Sequence, residues 1–376
     1  MKIIHLYRDI LGPSGVPYEV RELAAHQQAL GHSVVTVFRG DQTNSDRTSN
    51  ELCLRGNLSD LPKLRDVLRT FQPDIAHFTG SWIPCHNLWV TEIWKAKIPY
   101  IFEPHGSLNP LMERVRFSGR SHENIWFAAK RGYRILFDSS LMRRASGTRV
   151  LSEYEHKLAY GFKLKKPFIV PSGVDSEWFP TNVPNYEKHG PIKLFYIGRL
   201  DPYQKGFDLL LDSFDLLKKK NYLNLFKVLF VGPSIGDSMA WLRNEVSKRG
   251  LTNFTITDGV YGNAKHELFN KSDLFLHPSR FEGFAKTARE AMAHGLPILS
   301  NAENNLGDWV ASESMGIVVR LNAEDIANKI ESILNSSGRT QLSEMGKHAR
   351  DFATRISWNR VAKDVSSNYE NILSGL

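Results

Sequence analysis

Two cysteines in 376 residues, Cys53 and Cys85, are too few for a disulfide framework and form no metal-ligand spacing, which fits a reducing cytosol. No stretch approaches the roughly 20 consecutive apolar residues that a membrane span requires. No fixed-period repeat and no low-complexity segment appears, which excludes solenoids, fibrous chains and disordered tails. The opening run MKIIHLYRD carries one early basic residue and a very short apolar stretch. It reads as a first strand and not as the h-region of a signal peptide. Apolar content of 41% and charged content of 23% are those of a globular chain, long enough for two domains with cores of their own.

The net charge is +8, and it is uneven. Between Leu111 and Val150, nine Lys and Arg face three acids, Glu113, Glu123 and Asp138, a local excess of +6. Phe117, Trp126, Phe127, Tyr133 and Phe137 are interleaved with these charges. Such a segment suits an anionic membrane leaflet or a phosphorylated substrate; it is equally the pattern of a solvated helix with a core-facing aromatic stripe. No recognised RNA or DNA motif accompanies the charge, so no nucleic-acid partner is expected.

Short β-branched and apolar runs alternate with helical periodicity. IIHLY leads through the turn Gly12–Pro17 to a helical pattern over Val20–Leu30, stopped by Gly31, and then to the strand SVVTVF. IAHFTG and YIFEPHG read as further strands. After the polar, proline-bearing stretch Phe179–Pro191 a second series begins: IKLFYIG, FKVLFVG, TNFTITDG, DLFLHPS, LPILSN and MGIVVR. The alternation predicts an α/β chain with two Rossmann-like, doubly wound parallel sheets, spanning residues 1–183 and 184–355. The remainder, 356–376, ends in an amphipathic helix from about Trp358 to Leu373, expected either to cap the second domain or to cross back to the first. Ligands of such sheets bind at the carboxyl ends of the strands.

Two strand ends carry candidate chemistry. In SRFEGFAKTAREAMAHGLPILSN a helix is expected from Lys286 through His294, stopped by Gly295 and Pro297. Its N-terminus offers unpaired N–H groups and a positive dipole end, a seat for phosphate. Gly283 permits close backbone approach, and Thr287 adds a hydroxyl in the first turn. Glu282 lies just ahead and Glu290 deeper in the helix. Together they suit a molecule with a diphosphate in the middle and a hydroxylated ring at each end, a nucleotide-sugar. Two glutamates eight positions apart are by themselves a weak signal, and helix glutamates are usually solvated. In YIGRLDPYQKGFDLLLDSF, Arg199 and Lys205 follow a strand; they supply the charge a diphosphate requires, or else decorate a surface loop.

In this order, strand–Gly–Arg, then Lys–Gly, then Glu–Gly–Phe with a second Glu eight positions on, the chain resembles the donor-binding half of glycosyltransferase family 4. IVPSGVD, GHSVVTVF and PHGSLNP resemble other segments of that family, so the likeness spans nearly the whole chain. It implies a GT-B fold, with two Rossmann-like domains facing across a cleft, the first for the acceptor and the second for the donor. It implies a retaining hexosyltransferase that uses a UDP- or GDP-sugar, with a glycan or lipid-linked glycan of surface polysaccharide biosynthesis as acceptor. By the same resemblance Arg199, Lys205, Gly15, Lys286 and Thr287 bind the donor diphosphate. Glu282, Gly283 and Phe284 bind the sugar, and Glu290 binds the ribose. Glu282 and His105 are the catalytic pair, and Val260 and Tyr261 lie near the base.

No Asp-x-Asp occurs in the chain, so neither metal nor cofactor is expected. The expected location is cytoplasmic, with segment 111–150 a candidate for peripheral contact with the inner membrane face. Three departures from the family pattern stand out. Ser14-Gly15 replaces a glycine pair, Ala285 replaces a glycine, and NAENNLGDWV follows the strand LPILS. Two other classes fit the same residues: another GT-B enzyme such as a nucleotide-sugar epimerase, and a non-catalytic nucleotide-sugar-binding protein.

Overall fold

The structure, a computed structural model, describes residues 1–8, 15–40, 50–112, 129–180 and 190–375. The first half of the turn Gly12–Pro17, residues 113–128 of the basic segment and most of the stretch Phe179–Pro191 lie outside the described residues.

The chain divides into two compact units, Met1–Gly173 with Ile356–Leu376, and Val174–Arg355. The division falls at Gly173/Val174, ahead of the proline-bearing stretch, because the chain beyond Gly173 is already committed to the second core. Val174 is buried, and the Trp178 ring stacks on His266 with centroids 4.3 Å apart.

The first unit holds seven parallel strands: β1 (Lys2–Tyr7), β2 (Ser33–Arg39), β3 (Glu51–Leu54), β4 (Ile75–Thr79), β5 (Tyr100–Glu103), β6 (Gly147–Val150) and β7 (Pro167–Ile169). Their order is β3-β2-β1-β4-β5-β6-β7, with Ile3 opposite Val34 on one side and Ile75 on the other. The second holds six: β8 (Ile192–Ile197), β9 (Phe226–Val231), β10 (Phe254–Thr257), β11 (Leu274–His277), β12 (Ile298–Asn301) and β13 (Gly316–Val319), in the order β10-β9-β8-β11-β12-β13. Central strands such as β4 and β11 are buried along their whole length, which is why they do not alternate apolar with polar residues. Strand order reverses between β1 and β4 in one sheet and between β8 and β11 in the other. These are the switch points at which doubly wound sheets open a crevice for ligands.

Two local readings shift. The first helix begins at Val16 and not at Val20, because Pro17 falls in its first turn, where a missing N–H costs nothing. β3, β6 and β7 are additional strands; they are short, and β6 carries Arg149 in its middle.

The C-terminal helix Trp358–Ser374 belongs to the first unit. Its apolar stripe, Trp358, Val361, Val365, Tyr369 and Ile372, is buried. Trp358 lies over Gly173, where any side chain would meet the indole ring, and Gln27 donates to Ser366 Oγ at 3.3 Å.

Candidate functional site

In the second unit the sequence-predicted residues gather at the β8/β11 switch point. Arg199 lies two residues beyond the end of β8, and its guanidinium reaches Gln204 Oε1 at 3.5 Å. The turn that follows ends in Gly206, which has φ 71° and opens the helix Phe207–Lys219. A Cβ at Gly206 would come within 2.6 Å of the Pro278 carbonyl oxygen, so the turn and the β11 loop touch backbone to backbone at a place only glycine permits.

That contact presents Lys205 to the loop carrying Glu282. The Lys205 ammonium hydrogen-bonds the Glu282 carboxylate, and Gln204 Nε2 donates to the same carboxylate at 3.4 Å and to the Phe281 carbonyl at 3.3 Å. Arg280 ties the two loops together. Its backbone N–H donates to the Gln204 carbonyl, and its guanidinium donates to the Tyr203 carbonyl at 2.6 Å. The same guanidinium grips Asp208 with two bonds, of 2.7 and 2.6 Å. Burial, reinforced by the Arg199 charge, pushes the Lys205 ammonium down to about 7, against the pull of the Asp201 carboxylate. Beneath them His277 is fully buried, with its pKa pushed down to about 3 by desolvation and by Lys205.

The helix after this loop spans Lys286–Ala293. Phe284 is buried just ahead of it, Gly283 and Thr287 are half-buried, and Lys286 Nζ lies 4.0 Å from Glu290. Glu290 is buried. Desolvation raises its pKa above the ordinary carboxylate range although Lys265, Lys286 and Arg289 pull the other way. Lys265 Nζ bonds Glu290 at 2.5 Å and lies 4.7 Å from the centre of the Trp178 ring. Val260 and Tyr261 follow the edge strand β10, and Tyr261 is 78% exposed.

His105 and Gly15 lie in the first unit. Gly15, with φ 73°, is the N-cap of the first helix, and its missing Cβ would point into open space. His105 follows β5 with φ 53°, a left-handed conformation uncommon for a residue with a side chain, and Gly106 follows at φ 85°. Its Nδ1 lies 2.8 Å from Glu103 Oε1. Glu155, buried, accepts the Gly106 N–H at 2.6 Å and the Leu151 N–H at 3.0 Å, pinning the loop from the other side. Burial pushes the His105 imidazole down, but the Glu103 hydrogen bond and charge outweigh it, and the net shift is upward.

Of the nine basic residues between Leu111 and Val150, two of the described ones are internal. Arg134 donates to the Ser107 carbonyl at 2.6 Å, and Arg149 pairs with Glu103 at 2.9 Å. Arg131, Arg143 and Arg144 are exposed. The aromatic stripe does not wholly face the core: in the π-helical turn Arg134–Asp138, Ile135, Leu136 and Phe137 are 62%, 73% and 50% exposed.

Gln204, Asp208, Lys265, Arg280, Glu103 and Arg149 were not singled out as site residues from sequence. Glu103 carried a signal: it is a charge closing the otherwise apolar strand run YIFE, and a buried charge requires a partner.

Two family models match the chain: "Glycosyl transferase 4-like domain" over residues 14–172 and "Glycosyl transferases group 1" over residues 179–352. A relative from Klebsiella pneumoniae, an uncharacterized 41.2 kDa protein in the cps region, is 29% identical over 163 residues, 43% of this chain and 41% of that one. The chain spans 41% to 47% of the length of this and two further curated relatives. Among solved structures, sucrose-phosphate synthase from Thermosynechococcus elongatus superposes with TM-score 0.77 at 19% identity, covering all of both chains. Anabaena HepE in complex with UDP and glucose superposes at 0.71 with 15% identity, covering 99% of this chain and 100% of that one. With a 4-like domain over its first half and a group 1 domain over its second, the chain belongs to the group 1 glycosyltransferases of the GT-B fold.

Proposed function

We propose that the protein transfers a sugar from a nucleoside diphosphate donor to an acceptor hydroxyl, with retention at the anomeric carbon and without a metal in the diphosphate clamp. The observation that carries this reading is the Lys205–Glu282 contact at the β8/β11 switch point, with Arg199 beside it and the helix Lys286–Ala293 opening next to it. Cations, a carboxylate and a helix N-terminus at one strand-end crevice suit a diphosphate joined to a hydroxylated ring.

In the proposed reaction the bond between the anomeric carbon and the diphosphate oxygen breaks. The acceptor oxygen bonds to the same face of that carbon, and its proton passes to the departing phosphate oxygen. Arg199, Lys205, Lys286 and the backbone N–H groups near Thr287 offset the charge that develops on the leaving group, the electrostatic contribution that usually dominates such catalysis. Glu282 holds sugar hydroxyls and Glu290 the ribose. A UDP- or GDP-sugar donor and a surface-glycan acceptor are favoured by two similarities: HepE is a complex with UDP and glucose, and the Klebsiella relative lies in a cps region.

A thermal-shift screen against UDP-, GDP- and ADP-sugars with EDTA present tests the reading. Stabilisation by one nucleotide, lost in Arg199→Ala, is expected; stabilisation that requires a divalent cation would overturn the metal-free clamp. Release of free sugar or an isomer without acceptor would favour the epimerase class, and binding without turnover a non-catalytic binder.

The exposed ridge Ile135–Leu136–Phe137, with Arg131, Arg143 and Arg144 exposed in the same segment, favours a peripheral membrane contact that would serve a lipid-linked acceptor. Sedimentation with vesicles containing about 30% anionic lipid tests it. Binding lost in a Leu136→Ser/Phe137→Ser variant and in high salt is expected, and equal binding to neutral vesicles would sink it.

A further inference from the structure

The polar residues buried around His105 form a connected chain that the transfer reaction as proposed does not use. Glu103 lies at the carboxyl end of β5 and is buried. Both its oxygens are engaged, Oε1 with His105 Nδ1 at 2.8 Å and Oε2 with Arg149 Nη1 at 2.9 Å; His77 Nε2 lies 3.1 Å from Oε2, in electrostatic contact but not aligned as a hydrogen bond. Arg149 is held in turn by the carbonyls of Val170 at 3.2 Å and Pro171 at 2.9 Å, so the carboxylate has no freedom to rotate. The other ring nitrogen of His77, Nδ1, lies 2.5 Å from the Tyr369 hydroxyl, which comes from the C-terminal helix 292 residues later.

We infer that Glu103 is the positioning residue of His105, and that the buried chain Tyr369–His77–Glu103–His105 sets the ring orientation and charge of that histidine. The inference rests on the reading of His105 as a site residue. Glu103 fixes Nδ1 as the protonated nitrogen, which leaves Nε2 as the atom available to a ligand. The same bond anchors a side chain whose backbone sits in a strained left-handed turn, held on its other side by Glu155.

Packing alone does not require this arrangement. A charge pair buried between apolar strands contributes little net stability compared with apolar residues of similar volume. Here the pair is extended by a third contact to a side chain at a strand end, the position at which such sheets bind ligands. The charged and titratable groups facing His105 are Glu103, Glu19 and Glu155, which favour its imidazolium, and burial, which disfavours it. His77 is itself kept from protonating, chiefly by burial, so it enters the chain as a neutral ring and leaves the Glu103 charge to Arg149 and His105.

The test is a histidine titration by long-range 1H–15N spectra of the full-length chain, with the His105 signal assigned by its loss in His105→Asn. In the wild type its midpoint should lie above the ordinary 6.5 with Nδ1 protonated throughout. Glu103→Gln should lower that midpoint by about one unit or more. Tyr369→Phe, which keeps the ring and removes only the hydroxyl, should move it by a smaller, measurable amount. An unchanged His105 titration in folded Glu103→Gln overturns the positioning role. If that variant does not fold, an unchanged titration in Tyr369→Phe overturns the chain. Transfer measured in His105→Ala separates the two readings: normal turnover there removes His105 from the reaction, whereas the titration alone decides what sets its charge.

Discussion

Lys205 and Glu282, 77 residues apart in the chain, share a hydrogen bond at the point where the second sheet reverses its strand order. In the protein without donor the lysine's countercharge is therefore the carboxylate assigned to the sugar. Donor binding would exchange that partner for phosphate oxygens, freeing Glu282 for hydroxyls.

Glu282→Gln follows from this exchange. The amide keeps the shape and loses the charge. Transfer should fall at least about 100-fold, equivalent to about 2.7 kcal/mol of transition-state stabilisation. Affinity for free UDP or GDP, measured by calorimetry, should not weaken, because Lys205 is released to the diphosphate. Near-normal turnover would remove Glu282 from the reaction.

Arg280 is predicted to matter without touching the donor. Its paired bonds to Asp208 and its bond to the Tyr203 carbonyl fix the turn that presents Lys205. Arg280→Lys keeps the charge but loses the planar fork, so donor affinity should drop by about tenfold with little change in melting temperature. Asp208→Asn should reproduce part of the loss, and the double variant should be less than additive. Full additivity would mean the two do not act as one tether.

Stability should fall as the solution is acidified below neutrality. His5, His86 and His277 are held neutral by burial, with values pushed down to about 3, and His294 down to about 4. Below about 6.5 the unfolded chain binds protons that the folded one refuses. Each such residue then removes about 1.4 kcal/mol per pH unit while the pH lies between its unfolded and folded values. His105 has the opposite sign: its contribution is complete below 6.5 and is lost as pH rises through its raised folded value. Urea midpoints at pH 7.5, 6 and 5 should decline in that order, and a flat profile would contradict the neutral buried histidines.

Gly173→Ala should destabilise the first unit by about 1–3 kcal/mol through overpacking. The new methyl would fall 2.7 Å from atoms of the Trp358 indole. The added substitution Trp358→Leu should recover part of the loss in a urea melt; no recovery would place the strain elsewhere.

The strand ends were legible because their signals are local. A glycine, an arginine and a lysine–glycine pair beside apolar runs mark where a chain leaves a sheet and opens a helix. Glu282 and Glu290 were found the same way. What escaped was the pairing. Arg280 sits one residue from Phe281 and reads as an ordinary surface arginine; only the approach of the Gly206 turn makes it a tether. Tyr369 falls on the apolar stripe of the last helix, where an aromatic residue needs no further explanation, and nothing in its neighbours points to His77. β6 was missed because Gly147, Thr148 and Arg149 leave it almost no apolar pattern, and the Glu103 that partners Arg149 lies on another strand. The boundary at Gly173 was missed because the proline-bearing stretch after it is the more conspicuous break, whereas the commitment to the second core is made earlier by Val174 and Trp178.

The first unit is built from both ends of the described chain, with the second unit inserted between Gly173 and Ile356. During synthesis the seven-strand sheet is therefore complete about two hundred residues before the helix that finishes its burial. Until Trp358–Ser374 emerges, His77 waits without Tyr369 and Gly173 without its indole cover. The second unit, being continuous, needs nothing made after it. The unit begun first is thus the last to be finished, and a released chain that ended at Arg355 would carry one completed domain and one open one.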